Sequence, residues 1–107
     1  MTKPPPPATL SIDISLDTLD VGLWASDGKH VWPHRAYANN WSGYQALRDD
    51  LLAHLGAGHG LTVLAESTGM YWWHLYQQIA HDLAFAPHDP QLILLNPAHV
   101  KHFRKAW

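Results

Sequence analysis

The sequence predicts an α/β domain in which helices pack on a mixed five-stranded sheet. Three observations support this prediction. Three early segments alternate apolar with polar residues, two later segments are continuous apolar runs, and stretches with apolar residues at helical spacing separate them. The resulting order is strand, strand, strand, helix, strand, helix, strand, helix. An antiparallel meander followed by right-handed crossovers gives a mixed sheet.

The composition is that of a globular protein with one domain. Of the 107 residues, 47% are hydrophobic and 15% are charged, which favours a folded core over disorder. The net charge of −2 is not the basic balance of a protein that binds phosphate backbones by itself. The absence of cysteine excludes disulfides and thiolate metal sites. With no membrane-length apolar run and no signal segment, we expect a cytoplasmic protein without a membrane partner.

Residues 1–7 are predicted to form a flexible arm, because four consecutive prolines favour an extended, solvated chain. The remaining residues, 8–107, are predicted to form the domain. Its first strand, residues 10–15, has apolar residues on one face and Asp13 in the middle of the other. A second strand, residues 19–26, alternates in the same way.

A tight hairpin is predicted to join the second strand to the third. Asp27-Gly28 is typical of a two-residue type I′ turn, which needs positive φ at both positions. The third strand, residues 29–37, contains Pro33, which cannot donate a ladder hydrogen bond. We therefore expect this strand at an edge of the sheet.

Capping signals and helical spacing predict the first helix, and a central strand follows it. Ser42 and Gln45 form a capping box, and the helix runs to about Leu55. Its apolar face consists of Tyr44, Leu47, Leu51 and Leu55. The fourth strand, residues 61–66, is too continuously apolar for a half-exposed position, which predicts a central parallel strand.

The remaining predicted elements are a second helix, a fifth strand and a third helix. The second helix begins near Gly69, and its apolar stripe consists of Trp72, Leu75, Tyr76, Ile79 and Leu83. Residues 91–95 form a buried type of strand, and Asn96 caps the third helix. Trp73 points away from the apolar stripe, which predicts contact with another domain, a second copy or RNA.

Two carboxylates are candidates for a metal site. Asp13 and Glu66 lie on strands predicted to be parallel neighbours, at the switch point where open α/β sheets place their sites. This is the RNase H-like arrangement. Converging carboxylates are the ligands that Mg²⁺ or Mn²⁺ needs for two-metal phosphoryl transfer. On a plainer interpretation, Asp13 caps a turn and Glu66 precedes a helix whose dipole favours negative charge. The residues alone leave both open.

Other polar residues are candidate contacts to nucleic acid. Ser67 and Thr68 could contact a phosphate at the N-terminus of the second helix, although ordinary capping of that helix explains them better. The one basic cluster consists of Lys101, His102, Arg104 and Lys105. It is a candidate for contact with an RNA or DNA backbone, and a solvated helix face explains it nearly as well.

Nine histidines raise the hypothesis of a structural zinc site. His30 and His34 are four residues apart, but Pro33 between them argues against two ligands on one helix. His99 and His102 could share a helical face, yet the pattern places no third ligand. Zinc is therefore the weaker interpretation.

Three short motifs occur in order along the chain. They are SIDISLDTLDV at residues 11–21, ESTGMY at residues 66–71 and NPAHVKHF at residues 96–103. They resemble, respectively, the GIDVSKxTLDV, ESTGxY and NPxxVxxF motifs of one family, the DEDD transposases of the IS-one-ten group. Each motif alone is weak, but together, in this order and at this spacing, they are fairly specific.

The resemblance implies a RuvC-like, RNase H-fold N-terminal domain of an insertion-sequence transposase, which moves DNA with a structured noncoding guide RNA. The first two acids of the family correspond to Asp13 and Glu66. The other two lie in a KTDxxDA segment that does not occur before Trp107. We therefore expect a chain truncated before the second acidic pair, lacking the family's C-terminal domain with its serine nucleophile, and inactive by itself. Ser11 and Leu16 stand where the family usually has Gly and Lys.

Two other functions remain open on the sequence. A Holliday-junction resolvase-like nuclease that is complete in itself would need further acids near the C-terminus, and the predicted third helix has none. A non-catalytic nucleic-acid-binding or dimerisation module belongs to a different class, and fold analogy alone does not decide between them. We expect a homo-oligomer. If Trp107 ends a fragment, this domain should only partly cover the apolar stripe of the third helix, Val100, Phe103 and Trp107, and a second copy should bury the rest.

Overall fold

Five strands and two helices make up the part of the chain that the structure describes. The computed structural model describes residues 7–25, 27–56, 59–67 and 71–95. The elements are β1 (Ala8–Ile14), β2 (Thr18–Trp24), β3 (His30–Ala38), α1 (Trp41–His54), β4 (Leu61–Ser67), α2 (Trp72–His81) and β5 (Gln91–Leu95), with a short 3₁₀ turn (Ala86–His88) before β5. The predicted third helix and all but the last residue of the predicted arm lie outside the described residues.

The strands form one sheet in the order β3-β2-β1-β4-β5. β1 pairs antiparallel with β2, which pairs antiparallel with β3. β4 lies parallel to β1 on one side and to β5 on the other. The predicted α/β class with a mixed five-stranded sheet is therefore confirmed, as are the edge position of β3 and the central position of β4.

Both helices pack on the same face of the sheet. The crossover through α1 leads from β3 past two strands to β4, and the crossover through α2 leads on from β4 to β5. Right-handed crossovers that move in one direction across a sheet place their helices on one face. The core between them consists of Leu10, Ile12, Ile14, Leu19, Val21, Leu23, Trp32, Leu61, Val63 and Ala65 from the sheet, Tyr44, Leu47, Leu51, Leu75, Tyr76 and Ile79 from the helices, and Phe85 from the turn after α2. Within the described residues, no helix covers the opposite face.

The β2–β3 hairpin is present, but its turn differs from the predicted type. Gly28 has φ of 85°, whereas Asp27 does not have positive φ. The N–H of Gly28 donates to Ala25 O over 2.9 Å, and the N–H of Ala25 donates to Lys29 O over 2.8 Å. Asp27 Oδ1 accepts from the N–H of Lys29 over 2.9 Å. The predicted type I′ turn is wrong, because that turn requires positive φ at both Asp27 and Gly28, and only Gly28 of the two has it.

The cap of the first helix lies two residues before the predicted cap. Asn40 is the N-cap, and its Oδ1 accepts from the N–H of Gly43 over 2.8 Å. Ser42 lies inside α1, so the predicted capping box is wrong. Asparagine and serine are both favourable N-cap residues. Asn40 follows β3 and has the extended backbone conformation that an N-cap requires, so it occupies the cap position. The predicted end near Leu55 is confirmed.

The Asn40 cap leads to a stability prediction. Asn40→Ala should lower the free energy of unfolding by about 1 kcal/mol, because it removes the acceptor for one N–H of the first turn. Ser42→Ala should change it by less than about 0.5 kcal/mol, because Ser42 is an exposed residue within the helix. Urea denaturation of the two variants measures both values, and the reverse order would contradict the observed cap.

Two apolar segments are less buried than the sequence predicts. Leu83 is 86% exposed, because α2 ends at His81 and Leu83 lies in the following turn. β5 is exposed at four of its five residues, so the prediction of a buried strand is wrong for the described residues. Among the described strands, β5 pairs only with β4. A continuous apolar run in the sequence does not specify which other segment packs against the strand. Trp73 does point outward, as predicted, and is 46% exposed.

No helix in the described part of the chain is both long and apolar enough to cross a membrane.

Hydrogen bonds at Asp82 join the end of α2 to α1. Tyr44 Oη donates to Asp82 Oδ2 over 2.7 Å, and Arg48 Nη1 donates to the same oxygen over 3.3 Å. The N–H of Ala84 donates to Oδ1 over 3.0 Å. Burial raises the pKa of Asp82, but these donors and the Arg48 charge outweigh it, so the pKa lies below its ordinary value.

This lowered pKa predicts a pH-dependent stability. Asp82→Asn should cost about 1–3 kcal/mol at neutral pH, because it removes a charged acceptor of two side-chain hydrogen bonds. A depressed folded pKa means that the contribution is complete above the unfolded value, about pH 4, and is lost as the pH falls through the folded pKa. Urea denaturation of the wild type and the variant should therefore converge below about pH 4. Asp17→Asn, at an exposed turn, is the control, and a constant difference at all pH values would contradict the prediction.

Candidate functional site

Asp13 and Glu66 lie side by side on the exposed face of the sheet. They are register partners on the parallel strands β1 and β4, and each is the last but one residue of its strand. Register partners point to the same side of a sheet. Both carboxylates are exposed, whereas the flanking Ile12, Ile14 and Ala65 point into the core. The predicted adjacency is therefore confirmed, and the role as metal ligands stays a prediction.

A third carboxylate extends this pair into a row across three strands. Asp20 of β2 is the register partner of Asp13, so the row runs Asp20, Asp13, Glu66. Neighbouring strands place successive members about 4.8 Å apart along the row. Sequence reasoning did not assign Asp20 to the site. Its position near the start of β2 could have identified it, because a tight turn between β1 and β2 pairs the end of β1, with Asp13, with the start of β2.

A β-bulge in β3 brings His34 to this row. Val21 pairs with Arg35 and Leu23 with Trp32, so β3 has one extra residue between the two pairs. Bulges change the direction of side chains. His34 Nε2 lies 3.0 Å from Asp20 Oδ1, and the two side chains are 68% and 41% exposed, respectively. An exposed pair of this kind adds little stability, so its importance lies in where it holds the imidazole.

The carboxylate row borders an open depression of about 360 Å³ on the sheet. On one side, the indole of Trp24 stacks on the ring of His30, with ring centroids 4.3 Å apart. A Cβ at Gly22 would lie 3.1 Å from the Trp24 ring and 3.3 Å from Ser11 Oγ. Gly22 therefore allows the indole to lie close against the sheet. The residues around the depression include Ser11, Asp13, Asp20, Gly22, Trp24, His30, Pro33, His34, Leu64, Glu66 and Leu95.

The carboxylates of the row suit a hard cation that keeps most of its water ligands and binds only one or two side chains. Among the described residues, no three His, Cys, Asp or Glu side chains are grouped closely enough to hold a metal ion. The row therefore offers adjacent pairs of carboxylates, and such a pair fits Mg²⁺, which keeps several waters and binds one or two carboxylates. His30 and His34 both border the depression but do not form such a group with a third ligand.

The remaining candidate contacts divide between the described and undescribed residues. Ser67 is the last residue of β4, and the N-cap position of α2 is occupied by Tyr71. A phosphate contact by Ser67 stays a prediction. Thr68 and the basic cluster with Lys101, His102, Arg104 and Lys105 lie outside the described residues.

No protein-family model matches the chain, and no curated protein matches it significantly. The candidate site therefore rests on its geometry and on the three sequence motifs.

Proposed function

We propose that this chain is the RuvC-like, RNase H-like N-terminal domain of a DEDD transposase, which contributes two metal-binding carboxylates to phosphoryl transfer on DNA. The observation that carries the proposal is the pairing of Asp13 with Glu66 at the carboxyl ends of β1 and β4. The strand order β3-β2-β1-β4-β5, with an antiparallel meander and two parallel strands, supports it. So do the motifs at residues 11–21 and 66–71, which contain the two acids.

The chain's own residues would act as a rigid platform for the reaction. Asp13 and Glu66 would hold Mg²⁺ or Mn²⁺, which when bound activates the attacking oxygen and stabilises the leaving oxygen. Because both acids lie on paired strands whose other face is a packed core, their backbone positions are held without an induced change. The open face of the sheet leaves room for a phosphodiester backbone above them.

The partners that the resemblance implies are DNA, a structured noncoding guide RNA and a second copy of the chain. The net charge of −2 suggests that local features, not overall charge, would attract nucleic acid. Asp13 and Glu66 are two of the four acids that the family uses, so we propose that this chain binds DNA with its metal but does not cleave it by itself.

One assay separates the candidate functions. Branched and supercoiled DNA are incubated with the wild type, Asp13→Asn and the control Asp49→Asn, with Mg²⁺ or with chelator. We expect metal-dependent DNA binding that Asp13→Asn loses and Asp49→Asn keeps, without strand cleavage. Metal-dependent cleavage that disappears in Asp13→Asn would instead support a complete resolvase-like nuclease. Binding that is equal with metal and with chelator would support a non-catalytic module.

A further inference from the structure

The fifth strand forms an edge of the sheet whose outer side has no partner strand in the described part of the chain. β5 pairs with β4 on its inner side only. Its sequence, QLILL, contains no charged residue and no proline. Ile93, Leu94 and Leu95 are 44%, 38% and 37% exposed. Because side chains alternate between the two faces of a strand, β5 presents exposed apolar groups on both faces.

The opposite edge of the same sheet has features that prevent pairing with another chain. β3 contains Pro33, which has no N–H to donate, and a β-bulge at the same place. The next two residues, His34 and Arg35, are polar and exposed. Prolines, bulges and charged side chains are the means by which sheets avoid edge-to-edge association. β5 has none of them, so its edge is the one that is open to pairing.

A hydrogen bond from α2 shows which backbone groups of β5 point outward. Tyr76 Oη donates to the carbonyl oxygen of Ile93, and it also lies against the backbone of Ala65 on β4. The Ile93 carbonyl therefore points toward β4. Successive residues of a strand turn their N–H and C=O groups to opposite sides, so those of Leu92 and Leu94 point away from the sheet.

These outward groups match themselves when two copies pair antiparallel about a two-fold axis at Ile93. Leu92 then lies opposite Leu94 of the second copy, and the two residues exchange N–H to C=O hydrogen bonds. The axis repeats this exchange on its other side. Ile93 lies opposite Ile93 of the second copy in a non-hydrogen-bonded pair, where side chains are in close contact. No like charges meet, because β5 has no charged residue.

We propose that the outer edge of β5 binds the same edge of a second copy of this chain, in antiparallel register centred on Ile93. The edge requires a partner strand that is uncharged and apolar on both faces, and β5 is itself such a strand. The β3 edge of a second copy does not fit, because Pro33 and the bulge interrupt its ladder. Five residues a side bury less than the ~1,200 Å² of a stable interface. We therefore expect a weak dimer, with a Kd between about 10 µM and 1 mM.

This pairing brings two carboxylate rows to one surface. A two-fold axis perpendicular to the sheet leaves the open faces of both copies on the same side of one continuous sheet. Three strand spacings across this sheet and about four residues along it separate Glu66 from Glu66 of the second copy, a distance of about 20 Å. Under the proposed function, on which this consequence alone rests, the dimer presents two metal sites to one nucleic acid. The pairing itself involves no metal.

The test is sedimentation equilibrium of the full chain from about 5 µM to about 1 mM, a range that spans the expected Kd. Ile93→Lys and Ile93→Glu should each raise the Kd at least about fivefold, because each places two like charges opposite one another across the axis. An equimolar mixture of the two variants should dimerise again, because opposite charges then meet. Leu83→Lys is the matched control, because Leu83 is also exposed and apolar but lies outside β5. It should leave the Kd unchanged.

Amide hydrogen exchange of the wild type gives a second measurement that needs no variant. The Leu92 and Leu94 amides should become more protected as the protein concentration rises, whereas the Ile93 amide, which faces β4, should not change. Equal concentration dependence at all three amides would contradict the register.

The outcomes distinguish this inference from the proposed function. A chain that stays monomeric at about 1 mM, a dimer that Leu83→Lys but not Ile93→Lys dissociates, or a mixture of the two Ile93 variants that stays monomeric would each overturn the pairing. None of these results would affect Mn²⁺ binding at Asp13. Loss of Mn²⁺ binding with the dimer intact would overturn the metal function and leave the β5 pairing standing.

Discussion

Replacing Asp13 with alanine is expected to abolish saturable Mn²⁺ binding, which the wild-type chain should show with a Kd of about 1 mM. Two carboxylates on neighbouring strands hold a hydrated divalent ion weakly, because waters supply most of its six oxygen ligands. Paramagnetic broadening of backbone amide NMR signals in β1 and β4 measures the binding. Unchanged broadening in Asp13→Ala would contradict the site.

Three further variants separate a metal ligand from a neighbouring charge. Glu66→Gln should weaken Mn²⁺ binding as strongly as Asp13→Ala, whereas Asp49→Ala, on the exposed side of α1, should leave it unchanged. A unit charge about 7 Å from the ion contributes about 0.6 kcal/mol in water. Asp20→Asn should therefore raise the Kd by less than about threefold. An effect as large as that of Asp13→Ala would show that Asp20 is itself a ligand.

Leu10→Ala is expected to lower the free energy of unfolding by about 2–5 kcal/mol, a large part of the stability of a domain this small. Leu10 is 0% exposed on the central strand β1, where Leu23 and Val63 flank it on the neighbouring strands. Truncation removes buried apolar surface and leaves a cavity that the paired strands cannot close.

The same substitution at Leu83 provides the control. Leu83 is exposed, so Leu83→Ala should change the free energy of unfolding by less than about 0.5 kcal/mol. Urea denaturation of both variants, with unchanged slopes, measures the contrast. Equal losses would mean that Leu83 is buried in solution, for example by a second copy of the chain.

The adjacency of Asp13 and Glu66 could be predicted because it depends on strong, regular signals. Alternation places Asp13 opposite the apolar face of β1, and the run before Glu66 is long enough to identify a buried strand. The order of elements and the hand of the crossovers then restrict which strands can be neighbours. None of these steps needs a specific side-chain contact.

The rest of the site could not be predicted, because it depends on departures from regular geometry. His34 approaches Asp20 through a bulge that moves the register of β3 by one residue. Trp24 covers Gly22 because that position lacks a side chain. A periodic sequence pattern describes a regular strand. It does not indicate where a β-bulge shifts the register between two paired strands.

By itself, the sequence determined the class of the fold, the number and order of the described strands, the faces that β1 and β2 bury, and the pairing of two acids. These follow from local periodicity and from chirality, which act on every chain in the same way. Only the tertiary structure decided that Asn40 and not Ser42 caps α1, that β5 is exposed, and that His34 lies beside Asp20 at the carboxylate row. Each of these outcomes depends on contacts between residues that are distant in the sequence. A local pattern does not contain those contacts, and they form only when the elements pack together.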